Sequence, residues 1–392
     1  MKYNFDTVIE RRGTGSEKWD MCDTIFSGSG LLPLWVADMD FQAPPEVIEA
    51  LAKRAAHGIY GYTAYTDSAY GSVINWFSRR HGWDIKKEWI VYSPGVVPAL
   101  SLLVQSFTSP GDGIIIQRPV YHPFMHVVKW NGRKLLNSPL RQDKSGRYEM
   151  DPDDLRIKAS DPSAKMMILC SPHNPPGRVW RRGELDTLIE ICAERGILIV
   201  SDEIHCDLTY SGIKHIPLPL VKPEYSERII TCTSPSKTFN LAGLQLSNII
   251  IPDKTLRKEF RKISMRNGIF DPNSFAADAM EAAYNNGGEW LDEMMEYVRG
   301  NLEFLENFFK SELPEVKVIE PEGTYLVWTD FRAFGISHRE LLRKFVEEAK
   351  VAPGQGDIYG PEGEGFMRIN LACPRAILEE GLNRIAAAFT GQ

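Results

Sequence analysis

The stretch Ile197-Leu-Ile-Val-Ser-Asp202-Glu203-Ile-His205 decides the fold class of this chain. It begins as an apolar run without polar alternation, which is typical of a strand covered on both faces. Before it, the segment Glu184–Glu194 places its apolar residues on one helical stripe, and Gly196 follows as a C-terminal stop. A helix that leads into a buried strand is the repeating unit of a parallel α/β sheet.

The same alternation extends in both directions along the chain. The other strand-like runs are Trp89–Tyr92, Gly113–Gln117, Met166–Cys170, Arg228–Thr233 and Asn248–Ile251. We therefore predict an α/β fold in which residues 49–280 form a large domain, a mostly parallel sheet covered by helices. Residues 281–392 mix long helices with strand-like runs, which predicts a smaller α+β domain, and residues 1–48 are expected to pack with it.

Composition narrows the class of protein. The chain has 392 residues, with 45 Lys and Arg against 52 Asp and Glu, and a net charge of −7 is unsuited to wrapping nucleic acid or coating an anionic membrane. The uncharged stretch Trp89–Gly111 is interrupted by Pro94, Pro98 and Pro110, so it predicts buried core rather than a membrane span. Six scattered cysteines without a CxxC pair and a charged N-terminal stretch predict a cytoplasmic enzyme with reduced thiols.

Several familiar motifs are missing from the sequence. Gly28-Ser-Gly30 lacks the third glycine of a dinucleotide fingerprint, and neither a P-loop, an HExxH pair nor a GxSxG elbow occurs. His122 and His126 are four residues apart but have no acidic or cysteine ligand close by in sequence, so ordinary polar contacts explain them and no metal is predicted.

Three polar segments follow strand-like runs, where an open parallel sheet binds its ligand. Asp202 ends the first run, Lys237 follows the second between hydroxyl residues, and Asn174 lies in the proline-rich turn after the third. Singly, they have plain explanations: a salt bridge or helix cap, a surface lysine and a rigid turn. Together, a carboxylate, a lysine and an amide are what pyridoxal phosphate requires at its ring nitrogen, aldehyde carbon and ring oxygen O3′.

These motifs resemble the fold-type-I pyridoxal-phosphate enzymes of the aminotransferase class I/II superfamily. The branch to which they are most similar is that of the cystathionine β-lyase-type carbon–sulfur lyases, which includes a bacterial maltose-regulon modulator. The resemblance rests on Trp35-Val-Ala-Asp-Met-Asp-Phe41, Tyr60-Gly-Tyr-Thr63, Pro119-Val-Tyr-His-Pro123, His173-Asn-Pro-Pro-Gly177, Ser201-Asp-Glu-Ile-His205, Ser234-Pro-Ser-Lys-Thr-Phe-Asn240 and Arg368.

The resemblance implies roles for residues around the cofactor ring. Lys237 would be the Schiff-base lysine, Asp202 the partner of the pyridine nitrogen, and Tyr121 the aromatic residue stacked on the ring; these three are the expected catalytic residues. Asn174 would hold O3′, and His205 stands where many aminotransferases have a tyrosine that contacts the same oxygen.

The resemblance also implies a phosphate site. The turn Gly95-Val96-Val97 opens a helix whose amide groups would bind the phosphate. Ser234 and Ser236 are expected to add hydroxyl groups. Tyr62 would reach the phosphate of the neighbouring subunit, which implies a homodimer with shared sites.

Substrate binding is assigned in the same way. Arg368 matches the arginine that binds the substrate α-carboxylate through two parallel hydrogen bonds. The backbone near Val36 and Ala37 would close over that carboxylate, and Asn174 and Tyr121 are expected to contact the substrate as well.

One position departs from the pattern of many aminotransferases. Gln245 stands eight residues after Lys237, where those enzymes have a phosphate-binding arginine. The resemblance favours β-elimination from L-cystathionine or a related cysteine S-conjugate, giving a thiol, pyruvate and ammonia. An aminotransferase acting on an amino acid and a 2-oxo acid is the alternative, and a regulatory protein that sequesters a transcription activator is a third reading. The physiological substrate, assembly beyond a dimer and any protein partner stay open.

Overall fold

The computed structural model describes residues 1–391. Its strands are β1 (Leu32–Leu34), β2 (Ile90–Ser93), β3 (Gly113–Ile116), β4 (Lys134–Asn137), β5 (Arg141–Gln142), β6 (Tyr148–Glu149), β7 (Ala164–Cys170), β8 (Leu198–Asp202), β9 (Ile229–Thr233), β10 (Ser247–Ile250), β11 (Lys317–Ile319), β12 (Leu326–Asp330), β13 (Val351–Gln355) and β14 (Phe366–Asn370). Each apolar run that predicts a strand of the large sheet forms one.

The helices alternate with these strands. They are α1 (Glu17–Asp20), α2 (Cys22–Ile25), α3 (Pro45–His57), α4 (Asp67–His81), α5 (Val96–Phe107), α6 (Pro123–Trp130), α7 (Pro152–Ala159), α8 (Arg182–Glu194), α9 (Pro235–Thr238), α10 (Lys254–Arg266), α11 (Ala276–Asn286), α12 (Gly288–Glu312), α13 (His338–Arg343) and α14 (Arg375–Thr390). Short 3₁₀ segments lie at Lys87–Trp89, Leu218–Leu220, Pro223–Arg228, Ala242–Leu244, Arg332–Phe334, Asp357–Tyr359 and Pro361–Gly363, and a π-helical turn at Lys344–Glu348.

The large sheet has seven strands in the order β2-β10-β9-β8-β7-β3-β4. Strands β9, β8, β7, β3 and β4 pair in parallel, and β10 is antiparallel to both of its neighbours, so six strands run in one direction. This mostly parallel sheet confirms the predicted α/β fold. The carboxyl ends of β2, β7, β8 and β9 therefore meet at one edge of the sheet.

Helices bury both faces of the large sheet. Along the strands, Ile114 and Ile168 pack into one apolar cluster, whereas their neighbours Ile115 and Met167 pack into another on the opposite face. Because successive side chains of a strand point to opposite faces, a strand covered on both sides needs apolar residues throughout. That requirement explains the unbroken apolar runs of the sequence.

A second sheet of five strands has the order β1-β13-β14-β12-β11. Strand β1 comes from the N-terminal segment and pairs in parallel with β13, while the other pairs are antiparallel. The division of the chain at residues 48 and 280 stays a prediction.

The uncharged stretch between residues 89 and 111 forms β2 and α5, as predicted, and α5 buries Leu100 and Leu103 in the core. Over residues 1–391, no helix has both the length and the apolar character that a membrane crossing requires. The six cysteines are free and buried.

Candidate active site

A cavity of about 190 Å³ opens where the carboxyl ends of β2, β7, β8 and β9 meet. Its wall contains all the predicted cofactor-binding residues except Tyr62: Gly95, Val96, Val97, Tyr121, Asn174, Asp202, His205, Ser234, Ser236 and Lys237. Parallel strands and the turns that follow them bring these distant segments together.

Asp202 is the last residue of β8 and is only 4% exposed. Its carboxylate accepts a hydrogen bond from the Ile204 amide at 3.1 Å, and within residues 1–391 it has no ionic partner. Burial, with a smaller contribution from the Glu203 charge, raises the pKa of Asp202 to about 7. A buried carboxylate left in this state is suited to a cationic or proton-donating ligand.

Lys237 lies in the short helix α9, directly after β9. Its Nζ donates a hydrogen bond to the Ala37 carbonyl at 2.6 Å. Burial lowers the pKa of Lys237 to about 8, with Arg368 acting in the same direction, whereas the Asp38 and Asp202 carboxylates oppose this shift. The amine is therefore closer to its neutral, nucleophilic form than a surface lysine would be.

Asn174 and Arg368 form one hydrogen-bonded unit in the cavity wall. The Asn174 Oδ1 accepts from Arg368 Nη1 at 3.1 Å, while the Arg368 Nη2 donates to the Trp35 carbonyl at 2.5 Å. The Arg368 Nε is buried without a hydrogen-bond partner. Each terminal nitrogen of the guanidinium carries two N–H groups and uses one of them here, so each keeps a donor for a ligand. Arg368 also packs over the Tyr359 ring, 5.2 Å from its centroid.

His205 and Tyr121 complete the wall around the centre of the cavity. The His205 Nδ1 is buried without a partner, and burial lowers the pKa of His205 to about 3, so its imidazole is neutral at physiological pH. Burial raises the pKa of Tyr121 to about 12, so its phenol keeps its proton. Both side chains therefore offer neutral hydrogen-bonding groups to a ligand.

The opposite end of the cavity is formed by the start of α5. Gly95 adopts φ 142°, a conformation that L side chains rarely adopt, and a Cβ atom there would lie 3.3 Å from Pro98 Cδ. No side chain caps this helix, and its first turn contains no acidic residue. The first amides of α5, at Val96 and Val97, are consequently available to an anion.

Two serines contribute to the same end. The Ser234 hydroxyl caps α9: it accepts from the Ser236 amide at 3.1 Å and donates to the Leu246 carbonyl at 2.6 Å. Ser236 Oγ lies 2.8 Å from Ser234 Oγ. Ser234 is thus committed to holding the helix that carries Lys237, and Ser236 has the freer hydroxyl. Gln245 also lines the cavity.

The backbone of residues 35–38 is held against the site by side chains from the second sheet. The Asn370 Nδ2 lies 2.6 Å from both the Val36 and the Asp38 carbonyls. The Tyr325 hydroxyl donates to the Ala37 carbonyl at 2.9 Å, the same oxygen that Lys237 contacts. Sequence reasoning missed Tyr325, because no motif near it points to the site.

Tyr62 lies apart from this cavity. Its side chain is fully exposed, and it lines a separate surface cavity with Tyr60 and Phe270, both exposed as well. The segment between α3 and α4 that carries Tyr62 has no regular secondary structure.

Comparisons with known proteins identify the class. Residues 29–385 match the family model "Aminotransferase class I and II", so the chain belongs to this family, as the motifs predict. It is 49% identical to cystathionine beta-lyase PatB of Bacillus subtilis (strain 168), over 99% of this chain and 100% of that protein. These matches cover both sheets and the whole cavity.

Solved structures agree with this assignment. Cystalysin from Treponema denticola, whose crystal structure contains a pyridoxal 5′-phosphate cofactor, is 38% identical, with a TM-score of 0.97 and coverage of 100% of both chains. The pyridoxal-phosphate-bound C–S lyase from Staphylococcus hominis is 36% identical, with a TM-score of 0.92 and coverage of 98% of both chains.

Proposed function

We propose that this chain is a pyridoxal-phosphate-dependent carbon–sulfur β-lyase. A cysteine S-conjugate, such as L-cystathionine, and one water molecule are converted to a thiol, pyruvate and ammonium. The Cα–H and Cβ–S bonds break, sulfur leaves with the electron pair of its bond and takes up a proton, and water hydrolyses the remaining unsaturated amine. The proposal depends on one observation: the wall of one cavity contains both Lys237 and Asp202, a buried carboxylate without an ionic partner.

The residues of the cavity fit pyridoxal phosphate along its length. Asp202 needs a cationic partner, which a protonated pyridine nitrogen provides, and the buried Nδ1 of His205 lacks the partner that a ring oxygen provides. Asn174 and Tyr121 line the same cavity, so Asn174 would offer its amide to that oxygen and Tyr121 would cover the ring. When bound, the cofactor supplies an electron-accepting ring that stabilises negative charge at the substrate Cα.

The phosphate fits the other end of the cavity. The free amides that follow Gly95 and the positive end of α5 favour a dianion, and Ser236 adds a hydroxyl group. Gln245 contributes no charge, so the helix terminus carries most of the electrostatic attraction in this subunit.

Lys237 is the general base of the proposed reaction. Its lowered pKa, about 8, lies close to physiological pH, which suits a group that must accept a proton from Cα and give it up again. The hydrogen bond to the Ala37 carbonyl holds the amine in the centre of the cavity when it is not reacting. Tyr121 remains a neutral hydrogen-bond donor beside it.

Arg368 binds the α-carboxylate of the substrate. Its contacts with Asn174 and Trp35 fix the plane of the guanidinium and leave one N–H on each terminal nitrogen for the carboxylate. The backbone of Val36 and Ala37, fastened by Asn370 and Lys237, covers this end of the site.

The proposal includes a homodimer in which Tyr62 completes the phosphate site of the partner subunit. It is supported by the full exposure of Tyr62 and by exposed apolar neighbours on the same surface, Ile59, Tyr60 and Phe270. A cytoplasmic location is part of the same proposal, supported by the six buried free thiols.

The test uses purified protein loaded with pyridoxal phosphate. We expect a visible absorbance band from the lysine-bound cofactor and release of pyruvate from L-cystathionine without any added 2-oxo acid. Lys237→Ala is expected to lose both, while the exposed Lys258→Ala is expected to keep both. Amino-group transfer to a 2-oxo acid, with no pyruvate from L-cystathionine alone, would instead identify an aminotransferase, and absence of the band would disprove cofactor binding.

A further inference from the structure

A second, larger cavity of about 880 Å³ adjoins the cofactor cavity. The two share Ala37, Tyr121 and Lys237 in their walls, and Arg368 lies in the wall of the larger one. In the proposed reaction the α-carboxylate is bound at Arg368 and the Cα proton is removed by Lys237. The remaining space of the larger cavity is therefore where the leaving thiol must lie, and the charges of its wall determine which thiols fit.

Most charges in this wall are already compensated. The Arg11 guanidinium contacts the Asp38 carboxylate at 2.7 Å and the Asp40 carboxylate at 2.6 Å. Burial lowers the pKa of His122 to about 4, so its imidazole is neutral, and its Nδ1 has no hydrogen-bond partner. Apart from Arg368 and the reacting Lys237, the wall thus presents no cation that is free to bind an anionic leaving group.

Glu17 is the exception among the acidic residues of the wall. Glu17 is exposed to solvent, its carboxylate has neither a hydrogen-bond nor an ionic partner among residues 1–391, and it lines the cavity together with Tyr121 and Arg368. Its negative charge acts on the reaction centre, since it raises the pKa of Lys237 against the larger lowering effect of burial. An unpaired carboxylate this close to a substrate cavity favours a cationic group on the ligand.

The position of Glu17 is determined by its neighbours. The next residue, Lys18, is completely buried, and its Nζ donates to the Asp40 carboxylate at 2.7 Å. The Trp35 Nε1 donates to the Lys18 carbonyl at 3.0 Å, and the Trp35 carbonyl accepts from Arg368. The helix that carries Glu17 is thus tied to the arginine that binds the substrate, which keeps the backbone of Glu17 beside the cavity.

We propose that Glu17 selects cysteine S-conjugates whose leaving thiol carries an ammonium group. This inference rests on the proposed lyase function and specifies its substrate class. The ammonium of the leaving group pairs with the Glu17 carboxylate while the α-carboxylate pairs with Arg368, so the two ends of the substrate meet opposite charges. The homocysteine half of L-cystathionine carries an ammonium beside a carboxylate, so a leaving thiol that carries an ammonium alone represents this class more simply.

Two compounds of nearly equal size isolate the charge. S-(2-Aminoethyl)-L-cysteine and S-propyl-L-cysteine differ by an ammonium in place of a methyl group. For the wild type we expect kcat/KM, measured by pyruvate release, to favour the aminoethyl compound by about fivefold, as for a partly exposed ion pair. Glu17→Gln is expected to abolish the preference by slowing only the aminoethyl compound, whereas Glu224→Gln, at an exposed site away from both cavities, keeps it.

Binding of the two compounds, measured by titration calorimetry on the same variants, separates this inference from the proposed function. Loss of the binding preference in Glu17→Gln supports the inference even if no pyruvate forms, a result that would overturn the lyase function alone. The inference is overturned if the wild type shows no preference, or if Glu17→Gln affects both compounds equally. Higher ionic strength is expected to reduce the preference of the wild type, because salt screens exposed charges.

Discussion

Two buried carboxylates, one at the end of β8 and the other five residues later, differ in almost every contact. Asp202 faces the cofactor cavity and accepts only the Ile204 amide. Asp207 does not line that cavity and accepts three side-chain hydrogen bonds, from Trp76 Nε1 at 3.1 Å, His81 Nε2 at 2.8 Å and Thr238 Oγ1 at 2.8 Å. Burial raises the pKa of Asp202 to about 7, whereas for Asp207 the contacts with His81 and Thr238 outweigh burial and lower its pKa.

The difference in hydrogen bonding indicates that Asp202 has a functional role and Asp207 a structural one. Buried polar groups in a folded protein nearly always have hydrogen-bond partners. Asp207 follows this rule and stabilises the fold, whereas Asp202 is a candidate ligand-binding group. The Asp207 contacts also affect the site, because Thr238, which donates a hydrogen bond to Asp207, directly follows Lys237. Asp207 thus stabilises the helix that carries Lys237, whereas Asp202 in the cavity wall has no ionic partner.

Asp202→Asn tests the functional role of the carboxylate in the cavity wall. The amide is nearly isosteric but cannot hold the proton of a pyridine nitrogen, so we expect kcat for pyruvate release to fall about 100- to 1,000-fold. Because the carboxylate has no ionic partner in the free protein, the unfolding free energy of the cofactor-free variant should not decrease. Steady-state kinetics and denaturant unfolding measure the two effects. A stability loss as large as that of an Asp207 variant would contradict the distinction.

Stability of the cofactor-free protein should depend on pH through Asp202. Its folded-state pKa, about 7, is above its ordinary value of 3.8, so between these values the folded state holds a proton that the unfolded chain releases. The contribution of Asp202 to stability is therefore present below pH 4 and is lost as pH rises to 7, by about 3 to 4 kcal/mol. Denaturant unfolding of the wild type and of Asp202→Asn across this range should show the difference, which vanishes if Asp202 titrates normally.

Asp207→Ala tests the structural role of the second carboxylate. The substitution leaves the hydrogen-bonding groups of Trp76, His81 and Thr238 without their buried partner, so we expect a loss of about 2 to 3 kcal/mol in unfolding free energy. The effect on kcat should be smaller than that of Asp202→Asn, because Asp207 does not line the cavity. Glu315→Ala, at an exposed position between α12 and β11, serves as a control that should unfold like the wild type.

Arg368→Lys tests whether Arg368 binds the substrate carboxylate. Lysine keeps the charge but cannot retain the contacts to Asn174 and Trp35 while directing a further donor at the carboxylate, so KM should rise about tenfold with a smaller change in kcat. Arg195→Lys, at an exposed position, should leave KM unchanged. An unchanged KM in Arg368→Lys would remove Arg368 from substrate binding.

The large sheet is the part of the fold that local sequence determines best. Its central strands are buried on both faces, so burial itself requires an apolar run that can be recognised without any tertiary information. The edge strand β4, Lys134–Asn137, escaped prediction because it is short and begins with an exposed lysine. Its place in the sheet depends on pairing with β3, which no local pattern specifies.

In the candidate site the same division applies. Asp202, Lys237 and Asn174 follow strands that can be recognised, so their convergence at one edge of the sheet could be predicted. Tyr325 and Glu17 reach the site from the second sheet and from a helix of four residues, and neither carries a local signal. Their approach depends on how the second sheet lies against the first.

The sequence alone is thus sufficient to predict the α/β class and the carboxylate, lysine and amide of the site, because these follow from short runs whose burial pattern is local. The chemistry that the three groups support follows from their identity. Only the tertiary structure decided which of two nearby carboxylates is satisfied. Asp202 and Asp207 are both buried acids, and they differ in whether Trp76, His81 and Thr238 reach them. Those partners come from distant segments, so the pKa that distinguishes a site from a support is a property of packing.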